Sequence, residues 1–112
     1  MTEAEARVQI HADVMADTGL IAILERTGEI PPDRVALFVE ALDVLALGWR
    51  NRQAVPKQDL LSLVGLPDRI YEIAQHFEGR QGEQIENLGV EIGMRIASLL
   101  LMSAVTTKSS GR

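Results

Sequence analysis

The side chains best suited to acid–base or metal chemistry in this sequence are two histidines. His11 follows Arg7 by four residues, and His76 follows Glu72 by four. Residues four apart share one face of a helix, so Glu72 and His76 could supply two metal ligands. A metal site needs further ligands, and the sequence places none beside them. We therefore expect a solvated Glu–His pair, with no metal and no cofactor.

Two carboxylates could also do chemistry if they were buried together. Glu40 and Asp43 are the two acids in the otherwise apolar run 35–49, and their spacing of three puts them on one side of a helix. They could form a buried pair with raised proton affinity, or bind an arginine of a partner. Alternatively, they form the solvent-facing stripe of the helix, paired with Arg34 or Arg50. We favour the solvent-facing stripe, because burying two unpaired carboxylates would cost several kcal/mol.

The sequence contains no pattern that indicates nucleophilic catalysis or a phosphate-binding loop. Cysteine is absent, which excludes thiol chemistry, disulfides and thiolate metal sites. The serines lie in helical or tail segments without a nucleophile-elbow pattern. The turn 79–82, Gly-Arg-Gln-Gly, lacks the lysine and hydroxyl that end a phosphate-binding loop. We expect a protein that is not an enzyme.

The elements that carry these residues are predicted to be helices. We expect a single all-α domain over residues 1–105, a compact bundle of five to six helices, followed by a disordered polar tail at 106–112. Its centre is a buried helix over about 32–52, which Pro32 opens in the first turn. Within it, Gly48 and the single tryptophan, Trp49, are expected to mark a crossing with another helix.

The first helix is predicted to begin at the N-terminus, because Thr2 and Glu5 form a capping-box pattern. Its apolar stripe is assigned to Ala4, Val8, Ala12 and Met15, with Ile10 and Val14 widening it. Asp17 or Thr18 is expected to cap a short second helix that ends at Gly28.

The long C-terminal helix, about 83–105, is predicted to have two apolar faces. One carries the core residues Ile85, Leu88, Ile92, Ile96 and Leu99. The other carries small residues four apart, Gly89, Gly93 and Ala97, with Met94 beside them, and would let a second helix approach closely. This apolar excess predicts self-association as a homodimer. Equally, the small residues could fit against the central helix of the same chain.

A DNA-binding alternative rests on segment 59–77, which has the shape of a helix-turn-helix. Lys57, Arg69 and Arg80 would supply its positive charge. Acids in the same segment and the net charge of −5 disfavour it. Shape without charge is a weak indication of nucleic-acid binding.

Taken together, these patterns favour a cytoplasmic, acidic, non-enzymatic protein-protein interaction module: an adaptor, small regulator or antagonist of a protein of unknown identity. No secretory signal is expected, since the N-terminus lacks a basic region followed by an apolar run. No membrane span is expected either, because Glu91 and Arg95 interrupt the most apolar stretch. The candidate interaction residues are Gly89, Gly93, Ala97, Met94, Glu40, Asp43 and Trp49.

Overall fold

A computed structural model describes the backbone of residues 1–50 and 57–110 and the side chains of residues 1–50 and 61–100. The all-α prediction is confirmed: these residues form helices and contain no strand. In chain order the helices are α1 (Glu3–Met15), α2 (Leu20–Thr27), α3 (Pro32–Trp49), α4 (Lys57–Val64), α5 (Leu66–Gln75) and α6 (Gly79–Ser110).

Four of these helices, α1, α3, α5 and α6, have ten residues or more and form the body of the bundle, whereas α2 and α4 have eight residues each. The prediction of five to six helices therefore overstated the number of main elements. α3 packs between α1 and α6, and α5 packs along α6. Of the two short helices, α2 contacts α1 and α5, and α4 contacts α1, α5 and α6.

The caps of α1 and α2 show how the sequence sets the first bend. The capping box is confirmed: the Glu5 amide donates to the Thr2 hydroxyl, and the Thr2 amide donates to the Glu5 carboxylate. Neither Asp17 nor Thr18 caps α2, because its N-cap is Gly19. A Cβ at Gly19 would overlap the carbonyl oxygen of Ala12, so only glycine fits between the two helices.

Helix α2 ends as predicted. Gly28 adopts a left-handed conformation, with φ of 69°, and its amide donates to the carbonyl of Leu24. Such a φ favours glycine because a Cβ would clash with the backbone.

The buried face of α1 differs from the predicted one. Val8 and Met15 are exposed, whereas the residues that face the core are Ala6, Ile10, Asp13 and Val14. The apolar residues of α1 lie on two sides of the helix, so their spacing does not identify which side packs against the core. The consequence is an exposed apolar stripe on α1.

Helix α3 is buried along one face only. Phe38, Leu42 and Leu45 lie in the core, but Leu37 and Leu47 on the other side are exposed. The prediction of a buried central helix therefore holds for one face of α3 only, and the helices that cover this face most extensively are α1 and α6. α3 ends at Trp49, before the predicted 52, and residues 51–56 lie outside the described part of the chain.

Helix α6 is longer at both ends than the predicted 83–105 and, with 32 residues, sets the length of the molecule. At 1.5 Å per residue it is about 48 Å long, matching the largest dimension of 50 Å. The assignment of 106–112 to a disordered tail stays a prediction, since side chains from 101 onwards and residues 111–112 lie outside the described residues. Within the described residues, every helix is too short or too polar to cross a membrane.

Candidate interaction surface

The two helices that pack most extensively, α5 and α6, leave an apolar groove of about 460 Å³ on their outer side, which we call the α5/α6 groove. Three large side chains stand beside it: Tyr71 of α5 is 54% exposed, and Val90 and Met94 of α6 are 58% and 68% exposed. Its lining residues are Pro67, Asp68, Tyr71, Glu86, Gly89, Val90, Gly93, Met94 and Ala97.

The small-residue stripe predicted on α6 lies at the base of this groove. A Cβ on Gly89 would lie 2.9 Å from Cγ2 of Ile70, so Gly89 serves the contact of α6 with α5. At Gly93 the same atom would lie 3.5 Å from the Pro67 ring, which is an ordinary contact. Gly89 and Gly93 therefore face α5, and the alternative in which these small residues fit against the central helix is wrong. Ala97 is exposed.

The rim of the α5/α6 groove is acidic. Asp68 at the start of α5 and Glu86 in α6 are the ionisable side chains that line it apart from the Tyr71 phenol, and both are exposed. Among the described residues, neither carboxylate is within ion-pairing distance of a cation. A helix that docked here would meet apolar side chains flanked by negative charge.

A second apolar groove of about 850 Å³, which we call the α1/α4 groove, lies on the exposed side of α1. Val8 is 70% exposed and Met15 64%, and Leu61 of α4 is equally exposed on the other wall. Its lining residues are Ala4, Arg7, Val8, His11, Ala12, Met15, Ala16, Leu61 and Ser62. These include the α1 stripe that the sequence analysis assigned to the core.

Glu40 and Asp43 do not form a buried acid pair, because both are exposed. Asp43 instead accepts a hydrogen bond from Arg95 of α6 at 3.0 Å, which joins α3 to α6 across the surface. The predicted partners were wrong: Arg34 is bound to Asp13. Since both groups of the Asp43–Arg95 pair are well exposed, the pair adds little to stability.

Trp49 is a core residue and cannot contact a partner. It is 1% exposed, and its indole Nε1 has no hydrogen-bond partner among the described residues. At Gly48, a Cβ would lie 2.8 Å from the carboxyl group of Glu3, so a side chain of α1, and not its backbone, comes close to α3 here. The predicted helix crossing at Gly48 stays a prediction.

The histidines and the cations of the DNA-binding alternative are not gathered into one site. His11 lies in the α1/α4 groove and His76 at the end of α5, and both are exposed. In the described part of the chain, no group of three His, Asp or Glu side chains could hold a metal ion.

Arg69 faces its own bundle rather than a groove of DNA. Its guanidinium binds the Glu25 carboxylate at 2.9 Å and donates to the carbonyl of Val14. Only Gly65 separates α4 from α5, whereas a helix-turn-helix has a turn of three or four residues. Arg80 is exposed, and the Lys57 side chain lies outside the described residues. These contacts disfavour the DNA-binding alternative.

Asp13 is the polar residue that the sequence analysis missed. It is fully buried, and its carboxylate accepts hydrogen bonds from Gln9 at 2.8 Å, from the Leu20 amide at 3.3 Å and from Arg34 at 3.3 Å. It thereby caps the first amide of α2 and ties α3 to α1. Asp13 falls at helical spacing with Ala6 and Ile10, so the correct core face of α1 would have revealed it.

Comparison with known proteins adds no identification: no protein-family model, curated protein or solved structure matches this chain.

Proposed function

We propose that this protein is a cytoplasmic, non-enzymatic, helical protein-protein interaction module that self-associates as a homodimer. Through its assembled form it would act as an adaptor, small regulator or antagonist of another protein. The observation that carries this proposal is the α5/α6 groove, with Tyr71, Val90 and Met94 each more than half exposed.

These three residue types suit an interface. Apolar side chains gathered at a groove are a frequent feature of binding surfaces, whereas single exposed ones are common everywhere. Tyrosine combines a large apolar ring with a polar hydroxyl, and it is enriched at interfaces. Methionine is flexible and polarisable, so Met94 can adapt to a partner surface. Gly93 and Ala97 beside them leave room for a close approach.

The arrangement of the ionisable groups supports a non-enzymatic role. Glu40 and Asp43, the acids with the most suggestive spacing, are both exposed, and Asp43 is engaged with Arg95 at the edge of a groove between α3 and α6. The two histidines lie on different helices, at α1 and at the end of α5. General acid–base catalysis needs a titratable group within hydrogen-bonding reach of a bound substrate, and these four side chains are exposed and lie apart on α1, α3 and the end of α5.

Sedimentation across micromolar concentrations tests the proposal, with Met94→Lys as the disrupting variant. We expect the unmodified chain to associate, and Met94→Lys to weaken association at least tenfold by placing an ammonium group in an apolar contact. The matched control is Leu47→Lys on α3, a residue that is 60% exposed and lines neither the α5/α6 nor the α1/α4 groove. A chain that stays monomeric throughout would refute the self-association.

A further inference from the structure

The exposed side of α6 carries a second row of side chains at the spacing that suits helix–helix packing. The members of this row, all exposed and separated by three, four and three positions, are Asn87, Val90, Met94 and Ala97. Alternating intervals of three and four keep a row of side chains facing a neighbouring helix. The row therefore suits another α-helix as its partner.

The carboxylates of α6 are gathered in its first part. The acids of the helix, all exposed, are Glu83, Glu86 and Glu91. The rest of the helix, 92–110, contains no Asp or Glu. The direction in which a second α6 lies against this one therefore decides whether carboxylates meet across the contact.

A parallel pair of α6 helices would bring these carboxylates together. In a parallel two-fold pair, equal positions lie side by side at about 10 Å, so Glu86 and Glu91 would lie beside the same residues of the second copy. Like charges that are brought together at an interface oppose binding, and they do so more strongly as water is excluded. Met94 would also meet Met94, and Ala97 would meet Ala97, which crowds one level of the contact and leaves space at another.

An antiparallel pair removes both conflicts. If Met94 lies opposite Ala97 of the second copy, the two-fold axis passes between positions 95 and 96, and a large side chain meets a small one twice. The two Glu91 residues are then about 14 Å apart along the helices and the two Glu86 residues about 28 Å. Both separations exceed the Debye length of about 8 Å in physiological salt. Each of these acids lies against the part of the second α6 that contains no acid.

The acid that α5 contributes to the α5/α6 groove is accommodated in the same way. Asp68 follows Pro67, whose ring lies beside Gly93 of α6. In the antiparallel register, position 93 lies opposite position 98 of the second copy, which is again in the part of α6 without acids. The acidic rim of the groove therefore borders the second α6 without meeting one of its carboxylates.

We propose that the homodimer forms by antiparallel packing of α6 along the α5/α6 groove of a second copy, with the two-fold axis between positions 95 and 96. Val90 and Met94 supply the apolar contact, and Gly93 and Ala97 allow the two helices to approach closely. The same surface is used on both copies, so the assembly closes at two chains, with a mass of twice 12.3 kDa. This inference rests on the proposed function, because it specifies how the two copies meet.

Distances between spin labels test the direction of the two helices. The chain has no cysteine, so Glu86→Cys and Ser98→Cys each provide a single attachment site, and both positions are exposed. In the antiparallel dimer we expect about 30 Å between the two labels at 86, and about 10 to 15 Å between the two at 98, close to the axis. Pulsed dipolar spectroscopy measures the longer distance and dipolar line broadening the shorter one, while sedimentation checks that each labelled chain is dimeric.

Charge reversal at Glu86 gives a second measurement without labels. Its control is Glu40→Lys, which changes the net charge equally at an exposed position that does not line the α5/α6 groove. Because position 86 faces no acid of the second α6 in the antiparallel dimer, Glu86→Lys should not strengthen association more than Glu40→Lys does. A gain of threefold or more beyond the control would indicate parallel helices.

The outcomes separate this inference from the proposed function. A long distance at 86 with a short one at 98 supports the antiparallel contact. Similar distances at the two positions, or a longer one at 98 than at 86, would refute it while self-association stands. If sedimentation shows that the unmodified chain does not associate, the proposed function and this inference both fail.

Discussion

Asp13 is the residue on which the N-terminal half of the fold depends. Asp13→Ala removes the acceptor of the Leu20 amide and of Arg34, and leaves the amide buried without its cap. A buried donor that loses its partner costs about 1 to 3 kcal/mol, and a hydrogen bond from a charged group lies at the upper end. We expect Asp13→Ala to lower the free energy of unfolding by about 2 to 4 kcal/mol, measured by urea denaturation.

The matched control is Asp17→Ala, two residues after the end of α1, where the side chain is exposed. Because an exposed carboxylate gives up no buried contact, this change should stay within about 0.5 kcal/mol. Equal losses for the two variants would show that Asp13 acts through general charge rather than through its hydrogen bonds.

The stability of the N-terminal cap of α1 depends on pH through the carboxyl group of Glu5. Its carboxylate accepts from the backbone N–H of Thr2 and interacts with the Thr2 side chain, and these hydrogen bonds hold the pKa of Glu5 below its ordinary value of 4.5. A lowered pKa in the folded state means that the cap contributes above the unfolded pKa, and that its contribution is lost as the pH falls through the folded pKa. We expect faster amide exchange at the start of α1 in that acid window, measured by NMR beside the carboxyl titration. Thr2→Ala keeps the backbone N–H of residue 2 and removes the hydroxyl, so it should move the Glu5 pKa only part of the way towards 4.5. An unchanged titration would contradict a contribution of the Thr2 side chain to the lowered pKa.

At the scale of elements, glycine-to-alanine changes at two positions one turn apart in α6 distinguish the effect of close packing on stability from the effect of helix propensity. Gly93→Ala should raise the free energy of unfolding by about 0.5 to 1 kcal/mol, since alanine favours the helix and its Cβ meets the Pro67 ring at an ordinary 3.5 Å. Gly89→Ala has the same propensity gain, but its Cβ lies 2.9 Å from Ile70 Cγ2. We expect no gain or a net loss there. Thermal and urea unfolding of both variants measure the difference, and equal stabilisation would contradict the close packing of α5 on α6.

The sequence predicts the buried face of α6 better than that of α1, and the reason lies in how the apolar residues of the two helices are distributed. In α6, Ile85, Leu88, Ile92, Ile96 and Leu99 keep one helical spacing with large side chains, and all five are buried as expected. In α1 the large residues Val8 and Met15 lie on the side opposite Ile10, so the pattern allowed two faces. Only the position of α3 decides between them, and that is a tertiary contact which helix periodicity does not contain.

The same limit applies to the candidate site. Spacing alone identified Gly93, Met94 and Ala97 as an accessible strip, and they do line a groove. Helical spacing does not show that Gly89 packs against Ile70, or that Arg95 binds Asp43, because these partners are 19 and 52 residues away in the chain. The sequence does not decide between a core and an interface position for Trp49, because a large aromatic side chain suits both.

At the scale of the whole molecule, a small bundle with a 32-residue helix has more apolar surface than its other helices cover. α2 and α4, with eight residues each, are too short to shield either flank. The residues left exposed include Val8, Met15, Leu61, Val90 and Met94, which border the two grooves. A second copy that covers these side chains stabilises the folded state, because burial of apolar surface lowers its free energy.

That stabilisation should make the melting temperature depend on protein concentration. A folded state that binds a second copy, when the unfolded state does not, gains stability in proportion to the logarithm of concentration. For a chain of this size we expect Tm to rise by about 3 to 6 °C for each tenfold increase within the associating range, measured by differential scanning calorimetry. Met94→Lys should abolish the dependence and melt near the dilute unmodified chain, whereas Leu47→Lys should retain it. A Tm independent of concentration in the unmodified chain would mean that the exposed apolar side chains are not covered by another copy.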